Sequence, residues 1–283
     1  MPIVTAFSAS HCGADEVSNA LAEKLGYRHL GDELLDLAAE RFTLPRKKLD
    51  RALHGPPSFF DGLTRERQRC VAHVRLALAE CVQDDNLVYH GFASHLLPND
   101  NAHVLKVCLL ADRPFRIERA VTGQGLSEKA ARKTIEKDDS ARAEWTRHLF
   151  NIGPWDQTLY DVKIPLHQTS LEQALLLISE NLPKLALSTA EHSHGTLADL
   201  LLSARVNLAL VENGHDVEVG CVDGHVSLVI NEYAVRLEHL KQGLQQIADG
   251  VAGVKSTSCR VGPGFRPPSR YDAVAPPEDS PRR

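Results

Sequence analysis

No stretch of this sequence is long and apolar enough to cross a bilayer. Its longest apolar runs, such as Val104-Leu105-Lys106-Val107-Cys108-Leu109-Leu110-Ala111, fall well short of the roughly 20 residues that a spanning helix needs. Pro2 follows Met1 directly, without a basic leader or cleavage site, so a cytoplasmic protein is expected. No C-x-x-C pair occurs either. Cys12, Cys70, Cys81, Cys108, Cys221 and Cys259 are scattered, several of them inside apolar runs, which points to reduced buried thiols rather than to disulfides or structural zinc. An excess of positive charge is also missing. At a net charge of -5 the chain has no global attraction for nucleic acid or anionic lipid, so any anion binding depends on local arginine placement. What is present is 43% hydrophobic content across 283 residues, enough for one or two cores, and the length favours two domains.

Through the first 182 residues, short apolar runs alternate with segments of helical period. Ile3-Val4-Thr5-Ala6-Phe7 reads as a buried strand, followed by helices over 14-25 and 32-42 and a connection over 43-63 rich in turn signals, expected to be mobile. A helix over 64-82 precedes a strand over 87-90. A strand over 103-110, helices over 114-122 and 127-149, a strand over 160-165 and a helix over 170-182 follow. This alternation predicts an α/β fold, a parallel sheet with helices on both faces. The polar stretch 183-195, opened by Pro183, reads as a linker. After it come a helix over 196-211, strands near 215-221 and 225-230 around Asp223-Gly224, a helix over 234-249 and a strand near 254-261. The tail from 263 to 283, rich in proline and charge, is expected to be disordered.

The first strand, loop and helix form the shape that grips phosphate, with backbone N–H groups and a helix N-terminus converging on one spot. The working loop pattern is G-x-x-x-x-G-K-[ST], in which lysine reaches the outer phosphates and the hydroxyl holds magnesium. Here the loop is Ser8-Ala9-Ser10-His11-Cys12-Gly13-Ala14-Asp15: one glycine, no lysine, and an acid facing the expected anion. Ser8, Ser10, His11 and Gly13 still offer hydroxyls, an imidazole and bare amides. A metal or redox role for His11, Cys12 and Asp15 lacks a second cysteine or any ligand spacing. His192 and His194 read as part of a polar linker rather than as metal ligands.

Leu21-Ala22-Glu23-Lys24-Leu25-Gly26-Tyr27, Arg116-Ile117-Glu118-Arg119, Gly125 to Lys133, Leu159-Tyr160-Asp161-Val162 and Thr169 to Ala174 occur in an order that resembles the cytidylate-kinase-like family of P-loop nucleoside-monophosphate kinases. The resemblance covers about residues 1-182 and implies a P-loop kinase-like sheet, with ATP and magnesium as cofactors if the protein is active. It places Ser8, Ser10, His11, Cys12, Gly13, Ala14 and Asp15 at the nucleotide phosphates. The lid-like Lys137-Asp138-Asp139-Ser140-Ala141-Arg142 and its neighbours imply catalytic roles for Arg132, Asp139 and Arg142, and acceptor binding by Asp32, Arg65, Arg69, Arg116 and Arg119. Read as residues alone, the basic lid is equally an ordinary solvated helix, because Glu128 with Arg132 and Lys133 with Lys137 are plain helical neighbours. Three family positions depart from the pattern: the loop, the run Leu30-Gly31-Asp32-Glu33, and His90-Gly91-Phe92, which has no arginine.

Residues 196-262 resemble a BON domain, a small α+β module associated with membranes or small ligands, at Val222 to Leu228 and Val251 to Ser256. Three functions follow as expectations. The first is a degenerate kinase-like protein that binds a nucleotide or another small anion and acts as a regulator or sensor through its BON-like unit. The others are an active nucleoside-monophosphate kinase and a non-catalytic assembly module forming homo-oligomers.

Overall fold

The computed structural model describes residues 3–55, 65–84, 86–98, 103–188 and 196–265, with the backbone alone over 184–188. Five parallel strands form the main sheet: β1 (Ile3–Ser8), β2 (Arg28–Leu30), β3 (Leu87–His90), β4 (Val104–Leu110) and β5 (Val162–Pro165), in the order β2-β3-β1-β4-β5. Every residue of β1 is buried, as a central parallel strand covered on both faces requires. Phe7 and Ile3 point into one core with Leu34, Leu78 and Trp145. Val4 and Ala6 face the other, with Leu21, Leu109 and Ile178. Each such large apolar side chain contributes roughly 1.5–3 kcal/mol on burial.

The helices are α1 (Ala14–Leu25), α2 (Glu33–Phe42), α3 (Arg46–His54), α4 (Glu66–Cys81), α5 (Arg113–Gln124), α6 (Glu128–Phe150) and α7 (Leu171–Ser188). Local chemistry sets several boundaries. Gly26 ends α1 in the left-handed conformation, at φ 68°. The Asp112 side chain accepts from Phe115 N–H to start α5, and Ser127 does the same for α6 through Ala130 N–H.

Two expectations change. The connection expected over 43-63 contains α3, whose Leu49, Ala52 and Leu53 are buried against the first core, so three apolar contacts outweigh the flanking turn residues; its residues 56-63 lie outside the described residues. The linker expected from Pro183 begins later, because α7 continues through Pro183 to Ser188. Pro183 is exposed, so water can satisfy the carbonyl left without a donor. Residues 189–195, with His192 and His194, and the tail from 266 lie outside the described residues.

The C-terminal elements are α8 (Leu197–Glu212), β6 (Glu218–Val222), β7 (His225–Ile230), α9 (Leu237–Asp249) and β8 (Ser256–Val261). β6 pairs antiparallel with β7, and β7 parallel with β8. Asp223 and Gly224 both take positive φ, 51° and 78°, the signature of a type I′ hairpin. Asp199 accepts from Thr196 N–H to cap α8 and from Gly224 N–H to hold that hairpin. Burial opposes its charge, but the N–H groups of Gly224, Thr196 and Asp223 hold its pKa down to about 2. Helix α8 also packs on α4: Leu200 and Ala204 join the first core, Gln83 donates to Leu197 C=O at 2.9 Å, and Arg65 donates to Gly214 C=O.

Candidate functional site

β1 lies between β3 and β4, so the chain leaves its C-terminal end at the point where the sheet order reverses, the usual place for a ligand crevice in such sheets. A cleft of about 820 Å³ opens there. The loop of residues 9–13 forms its floor, with His11 at φ 57° and Gly13 at φ 94°. A Cβ on Gly13 would sit at ordinary contact distance, 3.4 Å, from the Arg119 guanidinium, so it is the positive φ that favours glycine there. The backbone N–H groups of Ser10, His11, Cys12 and Gly13 have no hydrogen-bond partner among the described residues. With the N-terminus of α1 behind them, they form a cradle that an anion fits.

The whole expected loop set, Ser8, Ser10, His11, Cys12, Gly13, Ala14 and Asp15, lines this cleft, as do Asp32, Arg119 and Arg142. The remaining expected residues stand apart from the lining. Arg116 is buried beside it, donating to Ser10 C=O at 2.7 Å and Ser10 Oγ at 2.9 Å and forming a two-point pair with Asp139 at 2.6 and 3.1 Å. Arg132 is exposed and paired with Glu128 on its own helix. Arg65 is turned to Gly214, and Arg69 is exposed on α4; neither lines the cleft.

Arg116 and Arg142 therefore act as clamps on the loop. Arg142 donates to Ser8 C=O at 2.6 Å and Asp138 C=O at 3.1 Å, with its guanidinium 5.0 Å above the Phe92 ring. Burial disfavours its charge, and Asp138 and Asp139 support it. Arg119 is paired with Glu16. Lys137, exposed on α6 and lining the cleft, makes no hydrogen bond or ion pair among the described residues. Six carboxylates (Asp15, Glu16, Asp32, Glu33, Asp50 and Asp138) line the cleft against three cations. Burial pushes the Cys12 thiol up to about 11, so it is a packed, protonated group whose Sγ meets Leu109 C=O at 3.6 Å. His11 is held below the ordinary imidazole value by burial, with Asp138 opposing.

Sequence reasoning gave no role to His29, Asp50, His54 or His90, all of which line the cleft. His90 is the most connected. The β1–β3 pairing sets Ala6 opposite His90, which brings Ser8 and Asp15 into reach of one imidazole. Gly91, at φ 155°, follows immediately. A Cβ there would lie 2.6 Å from the Tyr89 hydroxyl, so the strand can turn into the cleft only with glycine.

A parallel sheet whose switch-point crevice opens on a loop and a helix N-terminus defines a doubly wound α/β fold with a ligand crevice. Residues 3–168 match the model of the cytidylate kinase-like family, and the chain belongs to that family. Among solved structures, it is similar to an uncharacterized protein from Eubacterium ventriosum ATCC 27560 (17% identity, TM-score 0.48, covering 65% of this chain and 99% of that one). It is also similar to a shikimate kinase from Bacteroides thetaiotaomicron (15% identity, TM-score 0.40, 64% and 98%) and a gluconokinase from Sinorhizobium meliloti 1021 (14% identity, TM-score 0.41, 66% and 97%). No curated protein matches the sequence.

Proposed function

We propose that the protein binds a nucleoside phosphate in this cleft and serves as a regulatory or sensory member of its family, with phosphoryl transfer slow or lost. One observation carries this reading: Arg116 and Arg142 spend donors on loop carbonyls, Ser10 and Asp139, so the cradle keeps its amides while its two most buried cations are committed to the loop. Phosphoryl transfer depends on cations that neutralise the transferring oxygens. The free loop amides fit a phosphate, and the surplus of carboxylates suits a magnesium ion arriving with it. Among the described residues no group of three or more His, Cys, Asp or Glu side chains is placed to hold a metal ion, so that ion would be held chiefly by the nucleotide's own phosphates and would supply positive charge where the loop lysine is missing.

Residues 196–262 are read as a BON-like ligand-sensing unit, supported by the order helix, strand, strand, helix, strand. The seam between α4 and α8 offers a route for signals between this unit and the kinase-like one. Among the described residues no helix is long and apolar enough to cross a membrane, and we keep the cytoplasmic reading as part of the proposal. A homo-oligomer built on the BON-like hairpin would register as a larger mass in light scattering.

Melting curves with ATP and magnesium, CMP or a cyclic dinucleotide test the binding, because a ligand that prefers the folded state raises the midpoint. A rise with one of them, together with only trace ADP formation, is expected. No rise with any removes the nucleotide reading, and steady phosphorylation of CMP removes the regulatory one. The active-kinase alternative draws on a specific feature, Lys137, which lines the cleft without a partner among the described residues and could stand in for the loop lysine.

A further inference from the structure

A hydrogen-bond chain crosses the cleft from the end of β1 to the first turn of α1. Ser8 Oγ lies 2.8 Å from His90 Nε2, and His90 Nδ1 lies 3.0 Å from Asp15 Oδ1. One tautomer satisfies both contacts: the Ser8 hydroxyl donates to Nε2, and Nδ1–H donates to the carboxylate. The binding of phosphate has no need of such a chain, since a phosphate is held by amides and cations. A hydroxyl on an imidazole that is itself oriented by a carboxylate is the arrangement of an activated serine.

We propose that Ser8, His90 and Asp15 form an acyl-transfer centre that hydrolyses small uncharged esters. Ser8 is the nucleophile, His90 the general base and acid, and Asp15 a positioning residue. The cleft favours an acyl over a phosphoryl electrophile. A phosphoryl group would need several cations at its oxygens, whereas Arg116 and Arg142 are committed to Ser10, Asp139 and the Ser8 carbonyl and Arg119 is paired with Glu16, which leaves Lys137 as the one unpartnered cation of the lining among the described residues. A single oxyanion needs only N–H donors, and those of Ser10 to Gly13 line the same cleft without partners among the described residues. In the first step the Ser8 Oγ–carbon bond forms as the Oγ proton passes to His90 Nε2. The ester carbon–oxygen bond then breaks, and Nε2 returns the proton to the departing alkoxide. Water, deprotonated by the same nitrogen, attacks the acyl-serine, releases the carboxylic acid and restores Ser8. The sum is ester plus water to acid plus alcohol. The inference is independent of the nucleotide reading.

The test uses the full chain with p-nitrophenyl acetate and, separately, a fluorophosphonate followed by peptide mapping. Folded wild-type protein should release nitrophenol catalytically and take one phosphonyl group, on Ser8. Ser8→Ala should take none, and His90→Gln should react about 100-fold more slowly. Asp15→Asn should lose about tenfold, since its carboxylate is exposed and screened, and should shift the pH–rate profile, which lost packing alone would not do. Asp15→Glu should recover part of that rate. Wild-type protein that stays unlabelled, carries the label elsewhere, or hydrolyses the ester no faster than His90→Gln overturns the proposal. Because labelling of wild type needs no variant to fold and no nucleotide to bind, its failure is distinct from a flat melting curve with ATP or CMP.

Discussion

The two walls of the cleft use opposite chemistries. The lid wall, from α5 and α6, is rich in cations, and its two most buried arginines point inward only to fasten the loop: Arg116 to Ser10 and Asp139, Arg142 to the Ser8 carbonyl. The sheet wall, from β2, the ends of β1 and β3 and the starts of α1 and α2, presents hydroxyl, imidazole and carboxylate groups: Ser8, His90, Asp15, His29 and Asp32. A basic lid in the sequence is thus mainly a structural clamp in the fold, and the groups left free to meet a ligand are loop amides, Lys137 and the serine–histidine chain. Substitutions that leave a clamp residue unpaired should cost stability, whereas substitutions of free groups should cost binding.

The sharpest break of that contrast is Asp139→Ala. It leaves the Arg116 guanidinium, 5% exposed, without its carboxylate. Leaving a buried charge unpaired costs about 3–5 kcal/mol, and the low end, about 3, is expected because Ser10 still accepts from the same group. Urea midpoints measure this. A loss below about 1 kcal/mol would place Asp139 among ordinary surface pairs and weaken the distinction between clamp and ligand groups.

Arg142→Ala comes next. It removes the donors to Ser8 C=O and Asp138 C=O and the contact over Phe92, an expected loss of about 2 kcal/mol, in the range for hydrogen bonds from a charged donor. The same variant separates two meanings of reduced activity. Loss of phosphoryl transfer accompanied by this loss of stability reflects the clamp; loss of transfer at unchanged stability would make Arg142 a direct phosphate ligand.

Lys137→Ala should do the reverse. An exposed side chain without a partner among the described residues contributes within about 0.5 kcal/mol to stability. One cation removed from a nucleotide's phosphates should weaken binding about tenfold, or about 1.4 kcal/mol, read by calorimetry. Unchanged affinity would assign phosphate recognition to the loop amides alone.

These assignments also mark what the sequence could reveal. The α1, β3 and β7 segments read to within a residue because apolar period and glycine signals agree there, and the loop residues were legible because a strand, a small-residue turn and a helix start have one common geometry. β2 escaped notice: Arg28–Leu30 is only three residues long, with one buried, and is made a strand by its pairing with β3. α3 was obscured by Pro45 and by His54-Gly55-Pro56-Pro57, although its buried Leu49, Ala52 and Leu53 recur at helical spacing. In the site, residue types were legible and partnerships were not. Arg116 lies 106 positions from Ser10, and His90 lies 82 from Ser8. No local pattern encodes which donor a folded sheet will place beside which acceptor, and that placement decides whether an arginine is a clamp or a ligand.

Asp15→Asn is the smallest and most specific of these tests. The hydrogen bond from His90 holds the Asp15 carboxyl below its ordinary value; burial opposes this, and the charges of His90 and His29 add to it. A carboxyl depressed in the folded state contributes stability that is fully present above its unfolded pKa, near 3.9, and is lost as pH falls through the folded value. Wild-type protein should therefore lose urea resistance more steeply than Asp15→Asn as pH drops below about 4, and the two curves should run parallel at higher pH. The side chain is 87% exposed, so solvent screening keeps the difference below about 1 kcal/mol. Parallel curves down to pH about 2 would mean that the His90 contact does not favour the ionised carboxylate, which would remove Asp15 from the sheet wall's hydrogen-bond chain and leave His90 oriented by Ser8 alone.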